Sequence, residues 1–181
     1  MKLLLHVCCA GCAIYTFKET EKHFSKVVGY FYNPNVHPQE EYIKRKNAIE
    51  QFANNEKKDI VYPDYNTSEY FNSVNMQLPE NERCHKCWEL RIKKTAEFAE
   101  QNGFDCFTTT LLISPYQNHS DIIDISKKAE GKTKFYYEDF RKGFKESHEL
   151  LKQYKLYSQN YCGCFASGYE RDQRLAQKER K

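Results

Sequence analysis

The placement of cysteine constrains this chain more than any other feature. Cys8, Cys9 and Cys12 lie where a first strand gives way to a helix, Cys84 and Cys87 form a CxxC opening a later helix, and Cys162 and Cys164 flank Gly163 near the end. Seven of the eight cysteines fall in these groups, a distribution that cysteine used only as a small buried hydrophobe does not produce. The groups read as a metal site built from distant parts of one chain. Cys106 stands apart, at the start of the fourth predicted strand and on the opposite edge, and reads as core.

Hydrophobic periodicity places these groups on a fold. Residues 2–7, 26–32, 59–62, 107–112 and 133–137 read as strands, and segments beginning at Ala10, Pro38, Arg83, after Tyr116 and at Phe140 read as helices. A short helix is expected within 66–76, and a charged helix runs from the last cysteines to Lys181. Such alternation is the pattern of an α/β fold: a three-layer parallel sheet of about five strands with helices on both faces. No Pro/Gly/Ser-rich linker divides the 181 residues, so residues 1–181 are expected to form one domain with a C-terminal helical extension. Ligand sites of open α/β sheets lie beyond the carboxyl ends of the strands. The first cysteine group, the Asn33-Pro34-Asn35 turn and Ser114-Pro115-Tyr116 all follow strands at that edge.

The sequence carries no membrane-length apolar run and no export signal, so a cytoplasmic protein is expected. In a reducing compartment thiols are kept for metal or catalysis, which makes a disulfide framework the weaker reading. A formal net charge of +3 permits a nucleic-acid partner without demanding one. Thiolate-rich ligation selects zinc, iron–sulfur clusters or copper(I). Seven thiols exceed the four of one zinc or one cluster and fall short of two such sites. A [4Fe–4S] cluster with a second metal position fits the number, as does a cluster with an open iron beside redox-active thiols. The plainer alternative is one structural zinc with unligated extra cysteines. Cys84, Cys87 and Cys12 are expected to face helix N-termini, whose positive ends favour thiolate.

Six segments, HVCCAGC (6–12), NPNVHPQEEYIKR (33–45), RCHKCWELR (83–91), TTTLLISPYQ (108–117), EDFR (138–141) and YCGC (161–164), together resemble the cobalamin-independent epoxyqueuosine reductases of the QueH family. The resemblance implies reduction of the epoxide of epoxyqueuosine at the wobble position of a tRNA anticodon, giving queuosine. It also implies an iron–sulfur cluster with a further iron beside it, on a fold like that of the adenine-nucleotide α-hydrolase (HUP) superfamily. ATP-using members of that superfamily carry a Ser/Gly-rich phosphate loop where this chain has Cys8-Cys9-Ala10-Gly11-Cys12. Thiols repel rather than cradle phosphate, so no ATP use is expected. Ser158 stands where the family often has Arg, which weakens the case for a phosphate contact there.

Deoxygenating an epoxide takes two electrons and two protons. The electron donor is not identifiable from the residues. Tyr116, Tyr161, His37 and Asp139 are candidate proton donors at the predicted edge, each with a structural alternative such as helix capping for Asp139. Arg45, Arg83, Arg91 and Arg141 are candidate tRNA contacts, Trp88 a candidate stacking platform or a lid over the metal, and Asn33 of the edge turn a further substrate contact. Two other readings remain: a sulfur-transferring or nucleotide-using tRNA enzyme on the same fold, and a zinc-stabilised RNA-binding module without catalysis.

Overall fold

A computed structural model describes residues 1–179. Strands β1 (Lys2–His6), β2 (Lys26–Tyr30), β3 (Ile60–Val61), β4 (Cys106–Thr109) and β5 (Lys134–Phe135) form one parallel sheet in the order β3-β2-β1-β4-β5. Helices α1 (Ala10–Thr20), α2 (Gln39–Glu56), α3 (Thr67–Ser73), α4 (Glu80–Gln101), α5 (His119–Lys128), α6 (Phe144–Gln153) and α7 (Phe165–Glu179) complete the chain. This is the three-layer α/β architecture expected from the alternation. The predicted end of the last helix at Lys181 lies outside the described residues.

The run Leu3-Leu4-Leu5 is apolar at every position because β1 is the central strand and is covered on both faces. Leu3, Leu5 and Val7 join a core with Ile14 and Phe17 of α1 and Ile49 and Phe52 of α2. Leu4 points the other way, into a core with Ile92, Ala96 and Ala99 of α4 and Ile122 and Ile125 of α5. All three leucines are fully buried, each stabilising the fold by about 1.5–3 kcal/mol. Sheet growth reverses at β1, which has β2 on one side and β4 on the other, so a crevice opens at the carboxyl ends of β1 and β4.

The third and fifth strands are shorter than the sequence reading, and Phe140–Gly143 form a 3₁₀ turn before α6; two further differences bear on that crevice. The fourth strand stops at Thr109, and Thr110–Ile113 form a 3₁₀ turn instead of continuing it. The Thr109 hydroxyl accepts the Leu111 N–H at 3.1 Å, a local bond that competes with the sheet ladder. Helix α4 starts at Glu80, not Arg83, with Pro79 at its N-cap and Glu80 and Glu82 in its first turn. The CxxC therefore lies in the second turn, away from the helix terminus.

α6 locks the start of α1. Ser147 is fully buried; its hydroxyl donates to the Gly11 carbonyl and accepts the Tyr15 N–H at 3.3 Å. Leu151 sits so close that a Cβ on Gly11 would lie 3.2 Å from its Cδ2. Ser147→Ala leaves these groups of the cysteine-bearing helix without their partner, and we expect a loss of about 1–3 kcal/mol in denaturant unfolding.

Candidate metal centre

The first thiol group is set by the exit from β1. His6 is fully buried beneath it. Its Nε2–H donates to the Tyr32 carbonyl at 3.1 Å and its Nδ1 accepts from the Thr109 hydroxyl at 2.8 Å, a tautomer fixed by the carbonyl being an acceptor only. Burial, reinforced by the Arg91 charge, lowers the His6 pKa to about 3 and keeps the ring neutral. Beyond it Cys9 takes the N-cap of α1 in extended backbone while Cys12 lies in the first turn. Because the chain is leaving the strand at this point, adjacent Cys8 and Cys9 can face one centre, and the sulfurs of Cys8, Cys9 and Cys12 lie within 4.8 Å of one another. Thr110 closes the site from the 3₁₀ turn after β4: it accepts the Cys8 N–H at 3.0 Å and donates to the Cys8 sulfur at 3.2 Å. From the other end of the chain, the Gln159 amide donates to the Cys9 sulfur at 2.7 Å.

The second group joins α4 to the loop before α7. Cys164 packs against the buried Cys87 in a small cluster with Tyr70 and Val74. Arg45 holds this loop. Its guanidinium is 3% exposed, pairs with Glu41 at 2.8 Å, and donates to the carbonyls of Cys162 at 2.9 Å and Tyr161 at 3.0 Å. The His37 N–H donates to the Gly163 carbonyl at 2.7 Å, and the Tyr161 hydroxyl donates to the His37 carbonyl at 2.7 Å. Gly163 has φ +119, and a Cβ there would meet Arg45 Nη1 at 2.8 Å, so glycine is required between the two cysteines.

Each group contains one thiol that ionises readily. Hydrogen bonds from Cys12 and Cys9 hold Cys8 well below the usual thiol range despite its burial. Cys9 itself, although the Cys12 bond pulls it down, is pushed up to about 12 by Cys8 and burial, and the bond to Cys8 raises Cys12 well above the ordinary value. In the second group the Cys162 bond brings Cys164 down to about 5, with help from the Ser167 side chain and backbone and from Tyr70. The Ser167 N–H reaches the Cys164 sulfur at 3.4 Å, so Cys164 sits directly before α7 with its sulfur in the position of a cap. Burial raises Cys84 to about 11 and raises Cys87. The helix end that favours thiolate is thus that of α7, at Cys164, and the expected benefit at Cys84, Cys87 and Cys12 is not what the structure gives. One anion solvated by neighbouring S–H groups is the low-cost arrangement of crowded thiols, and Cys8, Cys9 and Cys12 form an all-sulfur donor set suited to a soft metal.

A family model described as Epoxyqueuosine reductase QueH matches residues 3–170. The chain belongs to the QueH family. Relatives named Epoxyqueuosine reductase QueH include that of Dehalococcoides mccartyi, 37% identical over 173 residues and covering 94% of each chain. That of Thermotoga maritima is 37% identical over 189 residues, covering 99% of this chain and 96% of the relative. That of Streptococcus pyogenes serotype M1 is 37% identical over 175 residues, covering 90% of this chain and 68% of the relative.

In this QueH-family chain the other candidates are placed as follows. Asp139 caps the 3₁₀ turn Phe140–Gly143 and is ion-paired with Arg141, whose hydrogen bonds lower the carboxyl to about 2. Tyr116 is 83% exposed and stacks edge-on against Phe144. Trp88 is buried, donating to the Gln117 side chain at 2.9 Å. Arg83 donates to the Leu78 carbonyl at 2.8 Å. Arg45 and Arg91 are inside the protein, where their charges face sulfurs and carbonyls instead of solvent; Arg91 donates to Asn33, whose amide donates to the Val7 carbonyl, both at 2.8 Å. His37 lies beside Tyr70 and Phe71, with both ring nitrogens partnerless among the described residues. Thr110, Gln159, Ser167 and Tyr70, which touch or solvate the thiols, were not singled out from the sequence. No helix among the described residues is long and apolar enough to cross a membrane.

Removing Arg45 leaves buried Glu41 with the Tyr157 hydroxyl but without its cation, and releases the Cys162 carbonyl. Arg45→Ala is expected to cost about 3–5 kcal/mol in the stability of metal-free protein, read by denaturant unfolding.

Proposed function

We propose that this chain reduces the epoxide of epoxyqueuosine at the wobble position of tRNA to queuosine, as a cytoplasmic enzyme using a [4Fe–4S] cluster and an adjacent mononuclear iron. The observation that carries the reading is the close group of Cys8, Cys9 and Cys12 at the carboxyl edge of the sheet, with Cys87 and Cys164 packed together in a second group, in a chain whose relatives are named for this activity. Cys8, Cys9, Cys12, Cys84, Cys87, Cys162 and Cys164 would hold the metals between them. Bound there, iron–sulfur and iron supply single-electron transfer and Lewis acidity toward the epoxide oxygen. Net reaction joins the epoxide with two electrons and two protons, giving the alkene and water, and the electrons come from an external one-electron donor.

The chain's own residues position the substrate and deliver protons. Among the four donor candidates, Asp139 is held ionised by Arg141, Tyr161 donates to a carbonyl, and Tyr116 points into solvent. His37 has free ring nitrogens and lies within electrostatic reach of Cys164. It is the favoured proton carrier, alone or through water. Phe71, 47% exposed, has its ring 4.8 Å from that of His37, and Phe165, 63% exposed, follows Cys164. These open aromatic faces suit an unstacked anticodon base. Since the position that holds phosphate in nucleotide-using relatives of the fold is occupied by thiols, the sulfur-transfer and nucleotide-dependent alternatives have less support.

The test is anaerobic incubation of iron-loaded protein and a chemical reductant with tRNA containing epoxyqueuosine. Queuosine is expected in the tRNA, and intact epoxide with a fully loaded protein would sink the proposal. Cys→Ser changes at the seven clustered positions should each lower bound iron, whereas Cys106→Ser should leave it at the wild-type level. His37→Gln should retain iron while slowing epoxide reduction about 10²-fold or more; an unchanged rate would remove His37 from the reaction.

A further inference from the structure

Arg45 and Arg91 are the buried cations among the described residues. Arg45 meets Glu41, but Arg91, 2% exposed, has no carboxylate partner within ion-pair distance among the described residues. Its Nη2 donates to Asn33 and its Nε is buried with no partner among the described residues. A buried cation without an anion costs several kcal/mol, so what surrounds this one matters.

Sulfur lies beside it. Cys87 lies one turn earlier on the same face of α4 and is likewise buried. Through Asn33 the guanidinium is also tied to the strand exit that carries Cys8. Its orientation is fixed by the relay through Asn33 to the Val7 carbonyl, the residue before Cys8. An arginine in this position cannot meet a phosphate carried by solvent. It can meet an anion assembled from thiolates and sulfide, and its free N–H can donate to one of the sulfurs.

We propose that Arg91 is the internal counter-cation of the thiolate-bound iron–sulfur centre, a positioning residue whose charge favours the centre's reduced, more anionic state. This rests on the metal reading under Proposed function and adds a role for one residue of the chain. Charge and hydrogen bonds to sulfur are among the means by which a protein sets such a potential. The consequence is an easier uptake of each electron from the donor.

The experiment compares wild type with Arg91→Gln, Arg91→Met and Arg91→Lys, all prepared anaerobically and iron-loaded. Iron is counted, the potential is read by spectroscopic redox titration, and Tm is measured for loaded and iron-stripped protein. For the neutral variants that load, the one-electron equilibrium should shift at least tenfold toward the oxidised state, 59 mV to lower potential, and the Tm gap between loaded and stripped forms should narrow. Arg91→Lys should lie between these and wild type. If the neutral variants lose iron while Arg91→Lys keeps it, the requirement for charge is shown directly. A loaded neutral variant with the wild-type potential would overturn the proposal. So would an equal fall in Tm of loaded and stripped forms at unchanged potential, which marks a packing role, or loss of iron from Arg91→Lys as complete as from Arg91→Gln. Wild-type protein that forms no iron–sulfur centre would instead overturn the metal reading itself.

Discussion

Sulfurs brought close together in a protein interior cannot all be anions unless something positive joins them. Desolvation and mutual repulsion both oppose it. The arrangement around the carboxyl edge of this sheet answers that constraint. In each cluster one thiol is shifted toward the anion, Cys8 in the first and Cys164 in the second, and its neighbours are shifted toward the protonated form. Two buried arginines supply positive charge from α2 and α4, Arg45 acting on Cys9 and Cys162 and Arg91 on Cys8, Cys87 and Cys162. Metal binding would replace the protons with a permanent compensating charge.

The same constraint accounts for how rigidly the backbone is held. β1 delivers Cys8 and Cys9 from the most deeply buried strand of the sheet, and α6 clamps the following turn through Ser147. The Cys162–Cys164 loop has no strand behind it. It is fastened instead by Arg45, His37 and Tyr161, and glycine at 163 lets it pass against the Arg45 guanidinium. Ligands built on such different supports must reach one crevice, and the topological switch at β1 is where the sheet leaves room for them.

Much of this was legible in the residues. The continuous apolar run of β1, the cysteine spacing and the alternation of strands and helices gave the sheet and the edge carrying the first group. Arg45 and Arg91 were read as candidate tRNA contacts, and the structure buries both, for which the signal was present: Arg45 falls at helical spacing with Tyr42, Ala48 and Phe52, and Arg91 with Cys87, Trp88 and Thr95, on faces that turn inward. Pro79 followed by Glu80 and Glu82 is a start signal three residues ahead of the Arg83 chosen. No local pattern could have joined Thr110 to Cys8, Gln159 to Cys9 or Tyr70 to Cys164, because each depends on segments meeting across the fold.

The central claim is that the seven thiols serve one composite iron site. Counting iron and acid-labile sulfide in anaerobically prepared wild-type protein tests it most directly. The account predicts both on every chain, with iron in excess of sulfide because an iron outside the cluster is also held. Zinc without sulfide would contradict it.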